Sequence, residues 1–171
     1  MGPTTGYRPV TKLLHWTVVL AFAAQFVLGY ALDASESGRG RGRGEGPGRG
    51  RGGGFPAFGE DGPLTAHILL GVTIVLLGAV RLVLRRRLPL PPWAPTLSAA
   101  ERRLAHRTET ALYALTFAVP ATGLVLLASG DDLLWLHVTA HLAFFAALAA
   151  HVGLVLKHQL VDRDRLLRRM L

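Results

Sequence analysis

The sequence contains no cysteine and only two methionines, Met1 and Met170, which stand near the two ends of the chain. The lack of cysteine excludes disulfides, iron–sulfur clusters, thiolate-ligated haem and covalent haem attachment through a Cys-x-x-Cys-His motif. The terminal methionines disfavour a buried methionine ligand. Any metal must therefore be held by carboxylates or by the seven histidines, which are His15, His67, His106, His137, His141, His151 and His158.

Acidic residues are also scarce, and charged residues of either sign are kept out of long apolar stretches. The 171-residue chain carries 19 Lys and Arg against 11 Asp and Glu, although half of its residues are hydrophobic. A soluble basic protein would distribute its charges along amphipathic segments. Charges confined between apolar runs are typical of a polytopic membrane protein, so the high net charge does not by itself indicate nucleic-acid binding.

Four segments are apolar enough to cross a bilayer: about residues 13–32, 64–84, 108–128 and 133–157. Each has roughly the 20 residues that a helix needs to cross about 30 Å of hydrocarbon. Barrel strands would be shorter and would alternate in hydropathy. We therefore predict an all-α fold, a single-domain four-helix transmembrane bundle over residues 1–171, lying in the plasma (inner) membrane and contacting lipid.

The basic residues of the connections predict the orientation of this bundle. Fourteen lie before the first span, in and around the second connection, and after the fourth span. The first connection has five, which five acidic residues balance, and the third has none. This excess on one side predicts that both termini are cytoplasmic and that the first connection lies outside.

The first connection contains a Gly/Arg-rich run of low complexity within residues 36–60. Glycine at nearly every second position gives the backbone great freedom and offers no apolar surface to bury. We predict a disordered outer loop that is a tolerated insertion. Arg-Gly repeats can bind RNA, but this loop faces away from nucleic acid in the predicted orientation, so no nucleic-acid partner is expected.

Histidines inside the apolar spans indicate the chemistry, because an ionisable side chain is costly within a membrane and marks a functional site. His137 and His151 are fourteen residues apart, which returns them to one helix face about 21 Å apart. Two haems stacked across a bilayer need ligands at about that separation. His15 lies at the depth of His151, and His67 lies at the depth of His137.

This pairing predicts two bis-histidine haem b sites, an inner one between His15 and His151 and an outer one between His67 and His137. Arg81 lies fourteen residues after His67, at the inner end of the same face, and could pair with an inner haem propionate. With both axial positions filled, such haems transfer single electrons and leave no open site for oxygen.

The remaining histidines have less defined roles. His141 lies one helical turn from His137 but about 80° away from the face of His151. His137 is therefore the favoured outer ligand, with His141 as the alternative. His158 stands at the cytoplasmic edge, better placed for a propionate or a quinone than for iron. His106 precedes the third span among arginines and is expected at the membrane interface.

A set of motifs covers nearly the whole chain outside the Gly/Arg-rich run: Tyr7-Arg8-Pro9-Val10, Lys12-Leu13-Leu14-His15-Trp16, His67-(x13)-Arg81, Pro120-(x2)-Gly123, His137-(x13)-His151-(x5)-Lys157-His158 and Val161-Asp162-Arg163-Asp164. With these motifs the sequence resembles the bacterial cytochrome b561 family, which is related to the membrane cytochrome b subunits of Ni-hydrogenases and formate dehydrogenases.

The resemblance implies transmembrane electron transfer through two b haems, with His15, His67, His137 and His151 as ligands and the respiratory quinone pool as a partner. Some members of the family are thought to take electrons from superoxide at the outer face, so an oxidoreductase activity on quinone or superoxide is implied. The electron donor of this chain stays unassigned. The Gly/Arg-rich run replaces a short outer loop of the family, and no role is carried over to the third helix.

Three other functions are compatible with the sequence. The chain could be a membrane-anchor cytochrome b subunit of a larger oxidoreductase complex, although its short connections offer little docking surface. It could be a haem-free, proton-coupled transporter, although this would not explain the pairing of histidines by depth. It could also be an RNA-associated membrane protein that acts through the Arg-Gly repeats.

Overall fold

A computed structural model of the chain describes residues 6–39, 62–93, 96–129, 133–164, 167 and 170, with only the backbone described for residues 32–39. It contains four helices: α1 (Pro9–Arg39), α2 (Gly62–Arg87), α3 (Ala99–Ser129) and α4 (Leu134–Leu160). No strand occurs in these described ranges. Each helix is long and apolar enough to span a membrane. The prediction of an all-α, four-helix transmembrane fold is therefore confirmed.

The helices extend beyond the apolar spans predicted for them. α1 continues to Arg39, which takes it past residue 32 and into the first four residues of the segment predicted as a loop, 36–60. Hydropathy detects the part of a helix that lies in hydrocarbon, whereas the helical backbone continues until residues of low helix propensity follow. Glycine occupies every second position directly after Arg39. Residues 40–61, which hold most of the predicted disordered loop, lie outside the described residues.

The N-terminus of α3 is a capping box. The Ser98 backbone N–H donates to Glu101 Oε2 at 2.8 Å, and the Glu101 N–H donates to Ser98 Oγ at 3.3 Å. This reciprocal pair satisfies two of the N–H groups that the start of a helix leaves without partners. α3 therefore begins at Ala99, well before the predicted span at residue 108.

Consecutive helices pack against each other: α1 against α2, α2 against α3, and α3 against α4. They run antiparallel, since the second half of each helix contacts the first half of the next, as in Gln25 with His67, Arg85 with Glu109 and Thr122 with His137. Among the described residues, no Cα atom of α1 lies within 8 Å of one in α4. The bundle is therefore wider between the first and last helices, and large side chains bridge that space.

Phenylalanine rings fill the space between α1 and α4 at the middle of the bundle. Phe22 stacks on Phe144 with ring centroids 4.5 Å apart, and Phe26 lies 4.5 Å from Phe145. We call these four residues the phenylalanine cluster. The buried core at this depth consists of Val18, Phe22, Ile74, Val119 and Phe144. The cluster therefore lies halfway along α4, between the two histidines that the sequence places at opposite ends.

Many large apolar side chains of the helices point away from the core. Leu20, Val27 and Leu142 are 68%, 72% and 64% exposed, respectively. A monomeric protein in water rarely presents a continuous apolar surface of this kind, whereas lipid tails cover it at no cost. The outward faces of the four helices therefore contact lipid, and the chain is a multi-pass membrane protein.

Candidate functional site

Histidines from different helices gather on either side of the phenylalanine cluster. The set near the chain termini, which we call the termini-side site, consists of His15, Arg81 and His151. The set near the α1–α2 connection, which we call the loop-side site, consists of His67, His137 and His141. His106 lies outside both sites, exposed near the start of α3.

The loop-side site borders a cavity of about 550 Å³ that is lined by residues of all four helices. Most of its wall is apolar, and its polar side chains include the three histidines and Gln25. Cofactor and ligand pockets of proteins measure about 300–1,000 Å³ and combine apolar walls with a few placed polar groups. The cavity therefore has the size and lining of a cofactor pocket.

Two glycines leave space for the imidazoles of this site. A Cβ atom at Gly29 would lie 3.0 Å from Cε1 of His67, and one at Gly123 would lie 3.2 Å from Cε1 of His137. Both separations are tighter than ordinary van der Waals contact. A larger residue at either position would displace the ring. The observed positions of these imidazoles therefore require glycine at residues 29 and 123.

His67 and His137 have different hydrogen-bond partners. His67 Nε2 lies 3.0 Å from the amide nitrogen of Gln25, which can donate to it, while its Nδ1 is buried without a partner. His137 Nδ1 lies 2.9 Å from Thr122 Oγ1. Sequence reasoning missed both partners. The signal for Gln25 was a polar side chain within an apolar span, and Thr122 offered none beyond being a threonine in a helix.

His141 reaches the same cavity from the next turn of α4. Its ring centroid lies 4.3 Å from that of His137, and its other ring neighbours are Phe26 at 5.1 Å and Tyr30 at 6.4 Å, both on α1. His137 contacts α3 instead. Both imidazoles line the cavity, so the preference for His137 as the ligand stays a prediction.

The termini-side site joins α1, α2 and α4. His15 lies within electrostatic range of both Arg81 and His151, and its Nδ1 is buried without a hydrogen-bond partner. The Arg81 guanidinium lies 5.3 Å from the centre of the Tyr113 ring, a cation–π contact. Among the described residues Arg81 forms no ion pair, so its charge is available to an anion.

The neighbouring Arg85 has an acidic partner. Its Nε and one terminal nitrogen donate to the two carboxylate oxygens of Glu109 at 2.7 and 2.9 Å. Arg85, Glu109, Arg81 and Tyr113 line a small cavity of about 50 Å³ together with N-terminal residues and Met170. This bidentate ion pair links α2 to α3. It neutralises the charge of Arg85, whereas Arg81 forms no ion pair with the described residues.

His158 belongs to a charged cluster where α3, α4 and the C-terminal segment meet. Its fully buried ring has Nδ1 2.7 Å from Asp164 Oδ2 and 3.0 Å from Asp162 Oδ2. Lys157 Nζ bridges Glu101 at 2.6 Å and Asp162 at 2.7 Å. Glu101, His158 and Asp162 are spaced so that they could hold a metal ion, but the Lys157 ammonium already forms ion pairs with both carboxylates of that set.

The side-chain donors of both sites fit a haem, and the loop-side site also has a cavity large enough for a cofactor. Haem iron accepts two imidazole nitrogens, its porphyrin needs an apolar cradle, and its propionates pair with cations. His15 and His67 each present a buried ring nitrogen that lacks a hydrogen-bond partner. The loop-side cavity supplies the apolar volume, and Arg81 supplies a cation at the termini side.

The family model described as prokaryotic cytochrome b561 matches residues 6–171 of the chain. The match runs through all four helices and includes every residue of the termini-side and loop-side sites.

Proposed function

The chain belongs to the prokaryotic cytochrome b561 family, whose members transfer electrons across membranes through b-type haem. From this premise we propose that it binds two b haems in one domain, one between His15 and His151 and one between His67 and His137. The proposal is carried by the gathering of half-buried imidazoles, with buried and unpartnered Nδ1 atoms on His15 and His67, at two separate depths of one bundle. A haem iron with two imidazole ligands supplies one-electron transfer and leaves no open coordination position.

The polypeptide itself would hold the haems, orient their ligands and keep water out of the space between them. Gly29 and Gly123 set the positions of two of the proposed ligand rings. Phe22 and Phe144 pack between the two sites and exclude water from the space that an electron would cross. Arg81, which forms no ion pair with the described residues, would neutralise a propionate at the termini-side site.

We propose that the chain exchanges these electrons with quinone, as members of the family commonly do. A quinone dissolved in lipid can reach a bundle whose helices face lipid. Its reduction to quinol consumes two electrons and two protons, and the His158 imidazole beside Asp162 and Asp164 offers a group that can bind and release protons at the termini side. This group supports quinone reduction at that end of the bundle.

A reduced-minus-oxidised visible spectrum of the purified protein, with haem counted per chain, tests this function. We expect a sharp low-spin b-type signal and about two haems per chain, because two imidazoles per iron enforce low spin. Addition of a quinol to the oxidised protein should produce the same spectrum. Absence of haem after expression with ample haem would contradict the cytochrome function, and haem that a quinol cannot reduce would contradict the quinone partner.

We also propose that both chain termini face the cytoplasm, which is supported by fourteen basic residues on that side against five in the first connection. Because the chain has no cysteine, single introduced cysteines report the orientation cleanly. A membrane-impermeant maleimide added to intact cells should label Gly53→Cys and spare Arg103→Cys until the membrane is opened. The reverse labelling pattern would invert the proposed topology.

A further inference from the structure

Thr122 is not a candidate ligand, yet its hydroxyl contacts one. Thr122 Oγ1 lies 2.8 Å from the carbonyl oxygen of Val119 and 2.9 Å from Nδ1 of His137. A carbonyl oxygen can only accept a hydrogen bond, so the hydroxyl proton is directed to Val119. The hydroxyl oxygen then accepts the proton that His137 carries on Nδ1.

This arrangement selects one tautomer of His137. Because the Val119 carbonyl takes the hydroxyl proton of Thr122, the hydroxyl oxygen is left as the acceptor that faces Nδ1. A neutral imidazole protonated on Nδ1 has its lone pair on Nε2. Val119 and Thr122 therefore leave Nε2 as the nitrogen that can bind a metal.

One turn of α3 thus forms a seat for this imidazole. Thr122 supplies the hydroxyl acceptor, the Val119 carbonyl accepts the hydroxyl proton, and Gly123 leaves space for Cε1, which would lie 3.2 Å from a Cβ atom at that position. The other proposed ligand of the loop-side site is held differently, since Gln25 contacts Nε2 of His67 and its Nδ1 has no partner. Thr122 therefore contacts one of the two proposed ligands, His137, whereas Gln25 contacts the other, His67.

We propose that Thr122 is a positioning residue of the loop-side site, which orients His137 and lowers the reduction potential of the haem bound there. This inference rests on the proposed function, in which His137 is a haem ligand. An acceptor at Nδ1 raises the basicity of the opposite nitrogen. A more basic ligand stabilises ferric over ferrous iron, so the haem becomes harder to reduce.

A redox titration of the two-haem protein, followed in the visible spectrum, tests this role. In Thr122→Val, which removes the hydroxyl at nearly constant shape, the loop-side haem should become easier to reduce. We expect about a tenfold shift of its redox equilibrium, about 59 mV for a one-electron couple. The termini-side transition should not move. Thr122→Ser, which keeps the hydroxyl, should restore the wild-type potential.

Thr116 provides a matched control on the same helix. It is buried, and its hydroxyl donates only to the Leu112 carbonyl among the described residues, so Thr116→Val should leave both potentials unchanged. Two bound haems with an unshifted potential in Thr122→Val would overturn the inference. An equal shift in Thr122→Ser would overturn it as well, because the effect would then come from shape.

If Thr122→Val loses its haem, a second variant can test the role of the hydroxyl. Thr122→Ala removes the same hydroxyl with a smaller side chain, and an unshifted potential in that variant would overturn the inference. Failure of the proposed function is a separate result, since it would appear as a wild-type protein without two haems or as a His137→Ala variant that keeps both. The inference fails by itself when two haems are present, His137 is a ligand and removal of the hydroxyl leaves the potential unshifted.

Discussion

Alanine in place of His15 or His151 is expected to remove one of the two proposed haems, so that the purified protein keeps about one haem per chain. The two imidazoles approach each other from α1 and α4 near Arg81. The chain lacks cysteine, so no thiolate can replace either imidazole. A haem count and the reduced-minus-oxidised spectrum measure the effect.

The same substitutions should leave the loop-side haem intact, since the phenylalanine cluster separates the two sites. His106→Ala is the matched control, because that histidine is exposed on α3 outside both sites, and it should keep two haems. Loss of both haems in either His15→Ala or His151→Ala, with the protein still folded by circular dichroism, would contradict two independent sites. Retention of both would remove that residue from the ligand set.

At the loop-side site, His137→Ala is expected to remove the haem, and His141→Ala is expected to retain it. His137 is seated by Thr122 and by the space at Gly123. His141 instead packs edge-on against Phe26 and Tyr30. Its loss should change the surroundings of the haem, with a small spectral shift, but not its binding. Haem content of the two purified variants distinguishes them directly.

His67→Ala provides the companion measurement, because it removes the proposed ligand on α2 and should resemble His137→Ala in haem content. If His141→Ala lost a haem while His137→Ala kept two, the ligand on α4 would be His141. The inference about Thr122 would then fall with it. If neither variant lost a haem, the loop-side site would not be a haem site of the proposed kind.

The spacing of residues along a single helix could be predicted from the sequence, because helix geometry is local and regular. The four spans, the one-face relation of His137 and His151, and the position of Arg81 after His67 all follow from residue counts at about 1.5 Å and 100° per residue. The apolar runs that define the transmembrane fold also depend on composition alone. The family could be recognised for the same reason, since its motifs are short and local.

The helices extend past the predicted membrane spans, for a physical reason. Hydropathy responds to burial in hydrocarbon, so it placed the third span at residue 108, whereas the capping box of Ser98 and Glu101 begins α3 at Ala99. The signal was present in the sequence as Ser-x-x-Glu. It is a signal of backbone hydrogen bonding rather than of membrane depth.

What the sequence determined by itself is therefore which residues stand on each helix, at which depth, and with which chemistry. The tertiary structure alone decided which side chains meet across helices: Gln25 with His67, Thr122 with His137, and Arg85 with Glu109. Such contacts depend on how far each helix is rotated and how closely two helices approach. Those quantities are set by the packing of all the side chains between them, as at Gly78, where an added Cβ would lie only 2.6 Å from Thr116 Cγ2.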